Sequence, residues 1–320
     1  MFKKILVPLD KSALAESVLP HVITVATTFQ SSISLLVVSD TNRSSGRPLS
    51  VDPLEWQIKR VEDDAYIQRI KTELKNAGLE TEAQLMEGNP PENIVELCRN
   101  SDIDLVILSS HGKSGLTGWN VSSVVHKVIQ RAHTSVMIVR AYHPAPTKIE
   151  PVDYDRLLVP LDGSMRAESI IPAAISLTES NRAELHLVYV VEKPGMPSRM
   201  PLNQSDLELT KQIVERNLEE AQDYFDHLQD RIAIEIKPTI LVDENVADAL
   251  HSLIEEQNVD LVLLSAHGYG YTGQTLRPYG RLAMSLIEHG TSSMLVLQDI
   301  SKGEFSMSKA EYVAKDQGGR

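Results

Sequence analysis

"KKILVPLDKSALAESVLP", residues 3–20, decides the fold, because the chain contains it twice. Residues 155–172 read "DRLLVPLDGSMRAESIIP", and ten of 18 positions are identical at an offset of 152. A second pair follows in the same order: "DIDLVILSSHG" (102–112) and "NVDLVLLSAHG" (258–268) share seven of 11 positions at an offset of 156. Two blocks recurring in order at nearly constant spacing mark a duplicated unit of about 150 residues, a tandem domain and not a short solenoid repeat. The expected organisation is a first domain over 1–140, a proline-rich linker over 141–154, a second domain over 155–300 and a polar tail over 301–320.

Each copy alternates strand-like and helix-like segments. "KILVP", "SISLLVVS", "LETEAQLM", "DLVILS" and "SVMIVR" are short apolar runs in the first copy. "RLLVP", "ELHLVYVV", "IAIEIKPTILV", "DLVLLS" and "SMLVLQ" answer them in the second. Helical patterns lie between, among them "SALAESVLPHVITVATTF", "LEWQIKRVEDDAYIQRIKTELKNAG" and "VSSVVHKVIQRA". Strict alternation with continuously apolar strands predicts an α/β fold, a parallel sheet covered by helices on both faces. The loops at 40–53 and 192–206 are rich in Gly, Pro and Ser and are expected to exchange their amides quickly.

Composition narrows the function classes. A hydrophobic share of 42% with 23% charged residues is that of a globular chain. No apolar run approaches the roughly 18–20 residues needed to cross a bilayer, so no membrane partner is expected. The N-terminus enters a strand without a secretory h-region, and Cys98 is the only cysteine, so a cytoplasmic location is expected. A formal charge of −13 argues against nucleic acid. It leaves room for an anion held by local backbone amides. Neither copy has a His-x-x-x-His or Cys-His cluster, so no metal site is legible.

Ligands of open parallel sheets sit at the carboxyl ends of the strands. Pro8-Leu9-Asp10 and Pro160-Leu161-Asp162 each put a carboxylate at that rim, where "D-x-S" equally reads as a helix start. After "DLVILS", Ser109, Ser110, Gly112, Ser114, Gly115, Thr117 and Gly118 crowd before a helix opening at Ser122-Ser123. So many small residues fit backbone N–H groups converging on an anion better than a plain turn. His111 and His267 follow the same strand in both copies; such a histidine is more often a structural hydrogen-bonding group than a ligand, and His111 is kept as a candidate cofactor contact beside this loop.

These residues resemble the universal stress protein family in its tandem form, over about 3–140 and 155–298. The carriers are "ILVPLDKSALAE" and "LLVPLDGSMRAE", with "DLVILSSHG" and "DLVLLSAHG". The resemblance implies two Rossmann-like domains of the adenine nucleotide alpha-hydrolase-like class, each a five-stranded parallel sheet of order 3-2-1-4-5. Family members pair through their last strands, so it also implies an internal pseudo-dimer, with further homodimerisation and a protein partner open.

Many members bind ATP or a related adenine nucleotide, with or without Mg2+, through G-x-x-G-x9-G-[ST]. The first copy keeps that spacing as Ser109-x-x-Gly112, nine residues, then Ser122-Ser123, with Ser at the first and third glycine positions. The second reads Ser265-x-x-Gly268, eleven residues, then Gly280-Arg281, and aromatic and proline residues enter the loop. The resemblance further implies nucleoside contacts from Asp10 and Val38, with Pro8 shaping the base pocket, and from Asp162 and Val190 in the second copy. Gly88, in the nucleotide-adjacent turn "EGNP", aligns with Glu244.

The expectation is a regulatory stress-response protein holding nucleotide chiefly in residues 1–140, without catalytic turnover. The alternative is an interaction protein that binds none. An ATP pyrophosphatase would need S-G-G-x-D-S where this chain has "PLDKSA" and "PLDGSM". A receiver domain would need an acceptor Asp where it has "QLMEGN".

Overall fold

The structure, a computed structural model, describes residues 1–39, 53–113, 121–142, 149–195, 204–271 and 277–299. It divides into two compact units, one built on residues 1–153 and the other on 154–271 and 280–299. The loops expected to be mobile lie for the most part outside the described residues, as do Ser114, Gly115, Thr117, Gly118 and the tail.

In the first unit the chain runs β1 (Lys4–Leu9), α1 (Ala13–Glu16), α2 (Val18–Phe29), β2 (Ser32–Ser39), α3 (Pro53–Asn76), β3 (Thr81–Glu87), α4 (Pro90–Asn100), β4 (Leu105–Ser109), α5 (Ser123–Ile129) and β5 (Ser135–Val139). The sheet is parallel with order β3-β2-β1-β4-β5. Consecutive residues of β1, β2, β4 and β5 are buried, which requires cover on both faces.

The second unit repeats this as β6 (Arg156–Leu161), α6 (Met165–Glu168), α7 (Ile171–Asn181), β7 (Glu184–Glu192), α8 (Gln204–Arg231), β8 (Lys237–Asp243), α9 (Val246–Glu256), β9 (Leu261–Ser265), α10 (Arg281–His289) and β10 (Ser293–Leu297). Its order is β8-β7-β6-β9-β10, again parallel. Each unit therefore has the 3-2-1-4-5 arrangement. Among the described residues, no helix is long and apolar enough to cross a membrane.

Pairing within each sheet opens the crevice where a ligand would sit. β1 pairs with β2 through Leu9↔Val37, but with β4 only at Ile5↔Leu105 and Leu6↔Val106. In the second unit β6 pairs with β7 through Leu161↔Tyr189, but with β9 only at Leu157↔Leu261 and Leu158↔Val262. Pro8 and Pro160 have no N–H with which to continue the ladder toward the fourth strand. The strands part just beyond, at the point where the strand order reverses.

Two expectations need correction. "SALAESVLPHVITVATTF" is not one helix. It breaks at Ser17, whose N–H and Oγ both donate to Leu14 O, and the second copy breaks at Ser169, which does the same to Arg166 O. Pro20 and Pro172 explain the break, since each lacks an N–H and would crowd the carbonyl four residues earlier, at Glu16 and Glu168. The strand expected over "IAIEIKPTILV" begins only at Lys237, where pairing with His186 starts. Ile232 and Ile236 are buried without joining the ladder, and their alternation imitates a strand.

Candidate functional site

The first-strand turn is tied to the fourth-strand loop by one carboxylate in each unit. Asp10 Oδ1 accepts from Ser12 N (3.0 Å) and Ser12 Oγ (2.6 Å), and Oδ2 accepts from Lys113 N at 2.6 Å. Ser12 in turn caps α1, its Oγ accepting from Ala15 N. Asp162 Oδ1 accepts from Ser164 N at 3.0 Å, and Oδ2 from Tyr269 N at 2.7 Å. The rim carboxylate and the helix start are thus parts of one device.

That device gives Gly112 and Gly268 a reason of their own. A Cβ on Gly112 would overlap Asp10 Oδ2 and lie 3.1 Å from Asp10 Cγ, and one on Gly268 would meet Asp162 in the same way. The sequence reading explains Gly112 by the approach of a phosphate. The geometry requires both glycines before any ligand arrives.

Around the first crevice, Pro8 and Asp10 end β1, and half-buried Val38 lies at the end of β2. Gly88 follows β3 at φ +121°, its N–H donating to Ser39 O at 3.1 Å, so this turn demands glycine. Glu244, its counterpart, is not at positive φ, and the turn is held instead by Asn245, which accepts from Ala247 N and Asp248 N.

Ser109 Oγ lies 2.9 Å from Leu14 O and 2.5 Å from His111 O, so its hydroxyl hydrogen is directed at backbone. His111 is buried, with Nδ1 3.0 Å from Ser110 Oγ. Ser122 caps α5, its Oγ accepting from Val125 N, and its own N–H donates to Ser110 O at 2.7 Å. Ser123 is exposed on the first turn. The structure therefore places Pro8, Asp10, Val38, Gly88, Ser109, Gly112, Ser122 and Ser123 on the carboxyl-end side of one parallel sheet.

In the second unit Val190 and Asp162 take the matching places, and Gly280 caps α10 with its N–H on Ala266 O at 2.8 Å. No side chain caps that helix, and Arg281 is exposed at its first position. Ser265 is buried, with Oγ 3.3 Å from Ser169 Oγ. His267 is buried and its Nδ1 lies 2.7 Å from Asp299 Oδ1.

Sequence reading missed several partners. Arg69 reaches Glu16 at 2.8 Å, and Arg231 reaches Glu168 at 2.5 Å. Tyr66 and Tyr224 lie beside these pairs. Burial first, and then the neighbouring glutamate, raises each phenol above its ordinary pKa. The repeated "AES" was the available signal for the two glutamates. Asp104 Oδ2 accepts from Lys3 N and Lys4 N, as Asp260 Oδ2 does from Asp155 N and Arg156 N. The shared "DLV" is thus an anchor for the start of the central strand. Among the described residues, no group of three or more His, Cys, Asp or Glu side chains is arranged to hold a metal ion.

Comparison with known proteins agrees with this architecture. A sequence model of the Universal stress protein family matches residues 1–140 and again 153–298. Universal stress protein MJ0577 of Methanocaldococcus jannaschii is 30% identical over 155 residues, covering 44% of this chain and 96% of its own. Universal stress protein MJ0531 of the same organism is 27% identical over 141 residues, covering 44% and 83%. A solved putative universal stress protein from Pseudomonas aeruginosa matches the fold with TM-score 0.66 at 15% identity, over 96% of this chain and 98% of that one. One from Archaeoglobus fulgidus gives 0.61 at 17% identity, over 93% and 98%. With the family match recurring in each half, the chain belongs to the universal stress protein family and carries its domain twice in tandem.

Proposed function

We propose that the chain is a regulatory protein that binds an adenine nucleotide in its first unit, with the second unit contributing little to that binding. The observation that carries this reading is the preserved spacing from Ser109 through Gly112 to Ser122-Ser123, set at the crevice where β1 and β4 part. Asp10, Val38 and Gly88 border the same strand ends. The second loop is two residues longer, contains Pro278 and opens its helix with Arg281. Binding without rapid turnover fits a site in which Asp10 is committed to Ser12 and Lys113 and the Ser109 hydroxyl to backbone carbonyls. Neither group is poised as a base or nucleophile.

Titration calorimetry of the full chain with ATP, ADP and AMP tests this. One nucleotide per chain is expected. Ser123→Glu puts a carboxylate on an exposed first-turn position that favours acidic residues, so the fold should tolerate it. It should weaken binding at least tenfold, whereas Arg281→Glu should not. Absence of binding, or indifference to Ser123→Glu, overturns the reading. The committed Ser109 hydroxyl favours a second reading, an interaction protein without nucleotide, which a null titration would support.

A further inference from the structure

Three linked differences separate the two fourth-strand loops. Where the first unit has Leu14, Ser110 and Ala141, the second has Arg166, Ala266 and Asp299. The last match follows from the strands, since Ser135–Val139 and Ser293–Leu297 are counterparts and the position in question lies two residues past the end of each.

In the first unit the buried imidazole is held by a neutral group. Ser110 Oγ lies 3.0 Å from His111 Nδ1 and accepts from Ala141 N at 3.0 Å. In the second unit the hydroxyl is gone and a carboxylate has taken its place. Asp299 Oδ1 lies 2.7 Å from His267 Nδ1, and Oδ2 accepts from Arg166 Nη1 at 2.7 Å. The side chains of His267 and Asp299 are 4% and 3% exposed, against 42% for Arg166. The Arg166 guanidinium lies 4.9 Å over the Tyr271 ring, and that ring is 4.3 Å from His267. His267 also borders the cap of α10, because a Cβ on Gly280 would lie 3.9 Å from its Cδ2.

A carboxylate, a guanidinium and an imidazole therefore converge beside the loop that in the first unit is assigned to phosphate. We propose that Asp299 is a resident anion of the second unit: it occupies Arg166 and His267, the groups that would otherwise receive a ligand phosphate, and so excludes phosphate-bearing ligands from that loop. Arg166 is the specificity-determining cation. Asp299 contributes both oxygens to protein partners, and an incoming phosphate would have to displace it from Arg166 while lying close to a buried like charge. The inference rests on the reading that the first unit binds nucleotide only in using that unit as its reference.

Equilibrium dialysis of the full chain against ATP decides it by counting sites. Asp299→Ala should bind one more ATP per chain than the unmodified protein, at an affinity that falls at least tenfold when Arg166→Leu is added. Asp299→Asn keeps the shape and removes the charge, and it serves if the alanine variant loses its near-ultraviolet circular dichroism. Equal stoichiometry in all variants overturns the proposal, as do two sites in the unmodified protein or an extra site that survives Arg166→Leu. An unmodified protein that binds no ATP counts against the first-unit reading alone, and a gain from none to one in Asp299→Ala would still support this one.

Discussion

Lys11 holds its backbone in the left-handed region, at φ 68°, and its ammonium pairs with Asp63, whose side chain is 1% exposed. Ser39 Oγ donates to the other carboxylate oxygen of Asp63. The second unit solves the same packing problem without charge. Its counterpart of Lys11 is Gly163, at φ 77°, and Ala221 occupies the Asp63 position, one turn before buried Phe225 as Asp63 precedes Ile67. The Tyr189 ring lies 3.8 Å from where a Cβ on Gly163 would sit. One fold thus carries a buried ion pair in one copy and aromatic packing in the other.

Breaking that pair should cost more than the strain it relieves. Lys11→Gly removes about 1–2 kcal/mol of left-handed strain but leaves Asp63 buried without its cation. Loss of one partner of a buried pair costs about 3–5 kcal/mol, so a net loss of roughly 2 kcal/mol is expected. Lys11→Gly with Asp63→Ala should recover part of it. Both tryptophans, Trp56 and Trp119, lie in the first half of the sequence, so their fluorescence in urea follows this unit. A more stable Lys11→Gly protein would show that the pair contributes nothing.

Gly112→Ala and Gly268→Ala should each destabilise their own unit by about 1–3 kcal/mol, because the new Cβ pushes the aspartate from its amide partners. The check is a double-mutant cycle of Gly112→Ala with Asp10→Gly. The pair should be markedly less destabilising than the sum of the singles, since removing the carboxylate removes the clash. Strict additivity would leave the glycine to be explained by something other than Asp10. The same geometry disqualifies Gly112 as a clean probe of nucleotide binding.

Acid should weaken the first unit through His21. Burial holds the pKa of this imidazole down to about 4. In the unfolded chain it titrates near 6.5, so between these values the unfolded state binds more protons and stability falls as pH falls. The contribution is complete above about 6.5 and lost progressively toward 4, amounting to at most about 3 kcal/mol. Asp63 adds a separate loss at lower pH. Burial would raise its pKa, but Lys11 and Ser39 outweigh that and hold it below the ordinary carboxylate value. His21→Leu should flatten the dependence of the urea midpoint between about pH 7 and 5. An unchanged slope would mean that another group governs it.

The parallel sheet and the repeated turns were legible because they rest on runs of apolar residues and on motifs written twice, whereas the strand order was implied only by the family resemblance. "KILVPL" and "LVILS" bury every interior position, or nearly so, and such runs announce a doubly covered parallel sheet. The break at Ser17 was also within reach, given Pro20. What stayed hidden were contacts between residues far apart in sequence. Lys11 meets Asp63 across 52 positions, and Arg166 meets Asp299 across 133. No local periodicity records such pairs. The steric reason for Gly112 stayed hidden on the same ground, since the carboxylate it accommodates belongs to Asp10, in the first strand's turn.

The start of each central strand offers a last test, separating architecture from ligand binding. Asp104 Oδ2 accepts from Lys3 N at 2.7 Å and from Lys4 N at 3.1 Å, fixing where β1 enters the sheet beside β4. Asp104→Ala deprives two amides of a charged acceptor. A hydrogen bond to a charged group is worth about 1.5–3 kcal/mol, and partial solvent access keeps the expected loss near the lower figure. Asp104→Asn retains an accepting oxygen and should recover much of the loss. Hydrogen exchange gives the local signature: the Lys3 and Lys4 amides should lose protection in Asp104→Ala, while Asp155 and Arg156, held by Asp260, keep theirs. The site lies at the amino ends of the strands, opposite the crevice, so nucleotide affinity should not change. Should the nucleotide binding proposed above be found, an Asp104→Ala protein that is fully stable but lacks it would make "DLV" a ligand motif after all.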